Sequence, residues 1–185
     1  MILRSLKMKD APLMLEWMHD SSVVEKMSRN FGAMTLSDCE GFISKNVLQT
    51  SDLGSEEGAA ELRKRESLHL AIADEADEYQ GTVSLKDIDR DSSAAEFAIT
   101  IRRSAMGKGV SSKGMREIIR LGHEEVGLKH VYWYVNKDNE RAVRFYDKNG
   151  YRRCTVDELL GLGIKLEEEL KTEPAYLWYV DTWED

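Results

Sequence analysis

Cysteine is scarce in this 185-residue chain, and the two present, Cys39 and Cys154, stand far apart. They match no zinc or redox spacing, so they read as buried, reduced thiols rather than a disulfide framework. Histidine is equally thin. His19, His69, His123 and His130 form neither an HxxxH nor an HExxH pair, which leaves no expected metal site. Positive charge is outnumbered, with 26 Lys and Arg against 34 Asp and Glu, a net charge of −8. The field that drives nucleic-acid binding or polybasic docking on a membrane is therefore missing. No apolar run approaches the ~20 residues needed to span a bilayer. Met1 leads straight into Ile2-Leu3-Arg4-Ser5 with no signal-peptide pattern, so the expected location is cytoplasmic.

What is present fits a globular protein: 42% apolar and 32% charged residues in a length suited to one domain over residues 1–185. The first strand is Ile2 to Ser5. Asp10 then caps a helix with Pro12 in its first turn, carrying Leu13, Met14, Trp17 and Met18 at helical spacing. A second short helix is expected from Val23 to Met27. Ser37 and Glu40 suggest a capping box for a third, which carries Phe42, Ile43, Val47 and Leu48. Residues 50–66 read as a loop or a solvated helix. Three strand signals follow, Leu68 to Ile72, Gly81 to Leu85 and Ala95 to Ile101, in the manner of an antiparallel meander. A helix from about Ser112 to Glu125 has the apolar stripe Met115, Ile118, Ile119 and Val126. Then come a strand, Val131 to Val135; a helix, Asn139 to Lys148, stopped by Asn149-Gly150; and a strand, Tyr151 to Val156. Residues 157–173 read as an irregular connection. Ala175 to Trp183 is a last aromatic strand, serving either as core or as the surface of a homodimer. There is no internal repeat. This order specifies an α/β (α+β) protein built on a mixed sheet.

One turn stands out. Between the third meander strand and the next helix lies Arg102-Arg103-Ser104-Ala105-Met106-Gly107-Lys108-Gly109-Val110-Ser111-Ser112-Lys113. Its glycines let the backbone turn sharply and let a ligand approach, and the helix start supplies free N–H groups for an anion. Arg102, Arg103, Lys108, Lys113 and Arg116 add five positive charges here with no acid among them. The turn is either an ordinary serine-capped glycine turn or a phosphate site, and the basic cluster favours the latter. It is neither a P-loop, because Val110 and Ser111 follow Gly109, nor a dinucleotide fingerprint, because Ser112 stands at the third glycine position.

The chain resembles the GNAT superfamily of acetyl-CoA-dependent N-acetyltransferases. That family carries an Arg/Gln-x-x-Gly-x-Gly/Ala turn, matched here by Met106-Gly107-Lys108-Gly109-Val110-Ser111, with Met106 and Ser111 as departures. A second segment, Asn-x-x-Ala-x-x-x-Tyr-x-x-x-Gly-Phe, is matched by Asn139, Ala142, Tyr146, Gly150 and Tyr151, the last in place of Phe. The resemblance is specific from about residue 80 to 155. It implies a mostly antiparallel sheet with helices on both faces and a splay between the fourth and fifth strands that admits pantetheine. Pyrophosphate would lie on the amides of Gly107, Lys108, Gly109, Val110, Ser111 and Ser112. Asn139 would touch the cofactor arm, and Tyr146 would be the general acid.

The chemistry suits those residue types. A phenol stays protonated at neutral pH and can protonate a departing thiolate, although Tyr146 can equally be a core aromatic beside Phe145. A strand N–H in the neighbourhood of Ile99 to Ile101 would stabilise the oxyanion. Glu96, with Thr100 on the strand face opposite Phe97 and Ile99, is either the base that takes the amine proton or an exposed strand glutamate. His69 and His130 are weaker base candidates. Trp17-Met18-His19-Asp20, Gly81 to Leu85 and Ala95-Glu96-Phe97 look like the branches acting on ribosomal-protein N-terminal alanine or on nucleotide-linked amino sugars. The expected acceptor is a small amine or amino sugar, with a peptide N-terminus as the alternative. A non-catalytic acyl-CoA-binding module and a nucleotide-binding domain are the readings from other classes.

Overall fold

The computed structural model describes all residues except 26, 28, 29, 51 and 185. Seven strands form one sheet: β1 (Ile2–Ser5), β2 (Leu68–Ala73), β3 (Tyr79–Asp89), β4 (Ala94–Ile101), β5 (His130–Asn136), β6 (Arg153–Cys154) and β7 (Tyr176–Thr182). Their spatial order is β1-β2-β3-β4-β5-β7-β6, and every neighbouring pair is antiparallel except β4 and β5. The helices are α1 (Ala11–Met18), α2 (Ser21–Val24), α3 (Leu36–Asn46), α4 (Glu56–Leu62), α5 (Val110–Leu121), α6 (Glu140–Lys148), α7 (Val156–Gly161) and α8 (Glu168–Thr172).

Two-residue alternation sorts the strand side chains onto opposite faces. On one face Leu68, Leu70, Ile72, Val83, Leu85, Phe97 and Trp133 pack against Met115, Ile118 and Ile119 of α5 and Tyr146 of α6. Gly114 brings α5 down onto this face, since a Cβ there would lie 2.5 Å from Ile72 Cδ1. On the other face Ala71 and Tyr79 meet Met14, Trp17 and Met18 of α1 and Cys39 and Ile43 of α3. A third cluster, Ala94, Tyr132, Trp178 and Val180 under Leu159 of α7, covers the far end of that same face. The meander and the stripe of α5 form as the sequence predicts.

Several local expectations are corrected. Asp10 does not cap α1 with its side chain. Its carboxylate accepts from Arg4 Nη1 (2.7 Å), Arg4 Nη2 (2.9 Å) and the Lys7 N–H (2.8 Å), because Arg4 is buried and needs a counter-ion. The capping box of α3 is Thr35 with Asp38, not Ser37 with Glu40; the same hydroxyl-x-x-acid pattern occurs two residues earlier. The second helix covers Ser21–Val24 rather than Val23 to Met27, and Lys26 of that expected helix lies outside the described residues. Within 50–66, where Ser51 is outside the described residues, α4 forms behind a Ser55 cap. It is not solvated all round, because Ala59 and Leu62 are buried in the core. The expected strand from Tyr151 to Val156 shrinks to β6, and 157–173 is not irregular. Thr155 and Glu158 build a capping box for α7, and α8 follows. The helix expected from Ser112 starts at Val110, and its last turn, Gly122–Val126, is a π turn. In the aromatic tail, Trp178 and Tyr179 are core residues, while Trp183 is exposed beside His123.

Candidate active site

β4 and β5 pair only at Ala94–His130, Ala95–Val131 and Glu96–Tyr132, and beyond those residues the two strands pair no further with each other. Because they run parallel, both carboxyl ends open on the same side, and such openings in a sheet are natural ligand sites. β4 leads through a short 3-10 turn into α5, and β5 leads into α6, so the starts of both helices flank the opening.

The α5 start is built for an anion. Gly107 and Gly109 have φ of 76° and 75°, left-handed values that suit glycine, and a Cβ on either would meet nothing within 4 Å. The first intrahelical bond is Lys113 N–H to the Gly109 carbonyl at 3.2 Å. No side chain caps this helix, so the N–H groups of Val110, Ser111 and Ser112 are left for a ligand. The serine-capped alternative therefore fails. Ser112 Oγ instead donates to Asn149 Oδ1 (3.1 Å) and accepts from Arg116 Nη1 (2.7 Å), tying α5 to the end of α6. Arg102 leaves the cationic cluster. It is buried, donating to Glu16 (3.1 and 3.0 Å), Glu78 (3.0 Å) and the Tyr79 carbonyl (3.0 Å). Lys108, Lys113 and Arg116 remain exposed around the turn.

Met106 and Ile99 are half-buried against the core, while Ile101 and Val110 are buried in it. Asn139 caps α6, its Oδ1 accepting from the Ala142 N–H at 3.2 Å, and its amide N–H pair has no partner among the described residues. Tyr146 projects from α6 into an aromatic cluster, 5.5 Å from the Trp133 ring and 5.1 Å from that of Tyr179. Burial, then Tyr179 and Tyr151, push its phenol well above the ordinary tyrosine range. Its hydroxyl makes no hydrogen bond among the described residues. By contrast, Tyr179 donates to Asp147 (3.1 Å), and Tyr79 accepts from Trp17 Nε1 (3.0 Å) and bonds Thr82 Oγ1 (2.7 Å). Beside it the indole N–H of Trp133 is sealed without a partner among the described residues, one residue past the last β4–β5 pair. An aromatic cluster holding two uncommitted donors next to a strand opening is unusual for pure core.

The opposite face of β4 carries a second concavity of about 200 Å³. α1 and α3 supply its apolar walls, including Met14, Trp17 and Phe42, and Ala98, Ile99 and Thr100 form its edge at the splay. Its polar lining is Asp38, His69, Thr82 and Ser84. His69 Nδ1 lies 2.7 Å from Ser84 Oγ; burial and the Lys86 charge pull its pKa down to about 4, so the ring is neutral. Glu96 shares this face. It is largely buried and paired with its cross-strand neighbour Lys86 at 2.5 Å. After burial itself, its charge is the next cause raising the Tyr132 and Tyr134 phenols, the latter to about 12. His130 bonds Thr182 Oγ1 (3.1 Å) at the paired end of β5, away from the splay. Among the described residues no group of three His, Cys, Asp or Glu side chains could hold a metal, and no helix is long and apolar enough to cross a membrane.

The sequence pattern singles out the glycine turn and Tyr146 and ranks His69 low. Only the alternation of β2, which turns His69 away from Leu68 and Leu70, hinted at its place in the pocket.

A splayed mixed sheet, an uncapped glycine-led helix beside the opening and a pocket behind it have the geometry to suit an elongated anionic ligand. The chain matches the family model for the acetyltransferase (GNAT) domain over residues 1–152, and it belongs to that family. It is 32% identical to spermidine N(1)-acetyltransferase of Escherichia coli (strain K12) over 74 residues, 40% of either chain. The match thus spans well under half of that relative. The uncharacterized N-acetyltransferase p20 of Bacillus licheniformis is 22% identical over 151 residues, 82% of this chain and 78% of that one. Spermidine N-acetyltransferase from Vibrio cholerae, solved in complex with CoA and spermine, superposes with a TM-score of 0.67 at 16% identity, covering 97% of this chain and 92% of the other. At that identity the likeness concerns the fold.

Proposed function

We propose that this chain is an N-acetyltransferase that moves the acetyl group of acetyl-CoA to a small primary amine by direct attack in a ternary complex. One observation carries the reading: β4 beyond Glu96 separates two complementary sites, an amide-lined glycine turn and an apolar pocket with a few polar groups. The residues fit the co-substrate. Uncapped N–H groups at Val110 to Ser112 suit a pyrophosphate, and the space beside Gly107 and Gly109 suits close backbone approach. When bound, acetyl-CoA supplies the activated acyl carbon.

The chain's own groups then do the rest. The unpaired edge of β4 around Ile99 to Ile101 offers an N–H to the oxyanion. Tyr146, protonated across the physiological range, gives its proton to the departing sulfur. Glu96, held in place by its ion pair with Lys86, takes the proton released by the nitrogen. Asn139 steadies the arm with its free amide N–H.

The test is thiol release from acetyl-CoA by the purified protein across small amines, amino sugars, polyamines and peptides with free N-termini. Release with small amines is the expected result. Faster release with peptides would assign the acceptor to protein N-termini, and binding of acetyl-CoA without release would make the chain a non-catalytic acyl-CoA-binding module.

A further inference from the structure

His69, Ser84 and Ala98 are direct cross-strand neighbours on one face of β2, β3 and β4, in a row that ends at the splay. Two strand spacings of about 4.8 Å separate the His69 and Ala98 backbones by roughly 10 Å. The imidazole leans from β2 toward β3, its Nδ1 2.7 Å from Ser84 Oγ. The side chains between are small, Ser84 and Ala98 in the row and Thr82 and Thr100 beside it, which is why a pocket exists there. Phe42 meets the ring edge-on at 4.9 Å and Ser84 holds Nδ1, so the ring is fixed and Nε2 has no partner among the described residues. The Ser84 hydroxyl can donate or accept, so Nε2 can present either a lone pair or an N–H. Burial beside Lys86 keeps the ring uncharged.

We propose that His69 is the specificity-determining residue of the acceptor site. It reads an uncharged hydroxyl or amide within roughly 10 Å of the nitrogen that is acetylated. The acceptors are then amino alcohols or amino sugars in chemical class rather than diamines. A second ammonium at that depth would be desolvated among Met14, Trp17 and Phe42. Among the described lining residues, the one carboxylate, Asp38, is exposed at the rim and already accepts from Thr35. The proposal rests on the N-acetyltransferase reading above.

The experiment compares aminohexanol, hexylamine and hexanediamine as acceptors, with calorimetric binding of each to the CoA-loaded protein in parallel. The expected wild-type KM for aminohexanol is about ten-fold below that for hexylamine, the worth of one buried hydrogen bond. His69→Leu should erase that difference by raising only the alcohol's KM, leaving kcat and the acetyl-CoA KM unchanged, and His69→Gln should restore part of it. Should His69→Leu not fold, Ser84→Ala, which releases the ring, should weaken the alcohol preference instead. A preference for hexanediamine, or an equal KM rise for alcohol and alkylamine, overturns the proposal. No CoA release from any amine, with the alcohol still bound more tightly, overturns the acetyl-transfer reading alone; equal binding of the three overturns this one.

Discussion

The two faces of β4 make their sites from different material. On the α5 side the anion cradle is backbone: free N–H groups at Val110 to Ser112 and two glycines with positive φ. On the α1–α3 side it is side chain: His69, Thr82, Ser84 and Asp38 among methionines and aromatics. A backbone site tolerates replacement of the side chains along it: the helix start stays uncapped with Met106 and Ser111 where the family's turn has other residues. A side-chain site changes its ligand with each substitution. The first therefore suits a constant co-substrate and the second a variable acceptor.

The largest effect that could break this division comes from Tyr146, the one side chain on the α5 side given a chemical step. Tyr146→Phe should lower kcat by about 100-fold or more. Its melting temperature should stay unchanged, because the hydroxyl has no partner to lose. Normal kcat with an altered Tm would return Tyr146 to the core. Next is Gly109→Val, which places a branched side chain at φ 75° in the cradle. The acetyl-CoA KM should rise by roughly 30-fold while the acceptor KM holds, and steady-state kinetics with either substrate varied will separate the two.

On the other face, the neutral His69 gives a pH signature. Its folded pKa, about 4, lies below the unfolded value near 6.5, so between these the unfolded chain binds the extra proton. Its contribution is intact above pH ~6.5 and is lost as pH falls toward about 4, by on the order of 3 kcal/mol. Urea denaturation of His69→Gln should show a shallower acid decline than wild type, and parallel curves would mean the ring titrates normally. The smallest effect is Tyr79→Phe, which removes the bonds to Trp17 and Thr82 beneath the pocket. About 1–2 kcal/mol of stability should go, with kcat unchanged, the reverse of Tyr146→Phe. If both tyrosines behave alike, the contrast between the faces fails at its most direct point.

Legibility followed the same division. Gly107, Gly109, Asn139, Tyr146 and Gly150 sit at fixed spacings within two short segments, so local sequence reported them. The pocket draws on residues from Met14 to Thr100, on five elements (α1, α3, β2, β3 and β4) whose juxtaposition no local pattern encodes. Charge misled for a related reason. Arg102 belongs to a basic run in sequence, yet Glu16 and Glu78 reach it from distant elements and take it out of the cationic turn. The helices of 157–173 were missed because α7 and α8 are only six and five residues long, too short to show a period.

By itself, then, the sequence determined the mixed fold, the meander and the glycine-led helix start, since alternation, helical spacing and glycine's positive φ act within a few residues of each other. Tertiary structure alone decided where β4 and β5 part, which carboxylates neutralise Arg102 and Arg4, that Lys86 pairs with Glu96, and that His69 faces the pocket. Each of these depends on strand register and on the packing of α1 and α3, interactions between residues far apart in the chain.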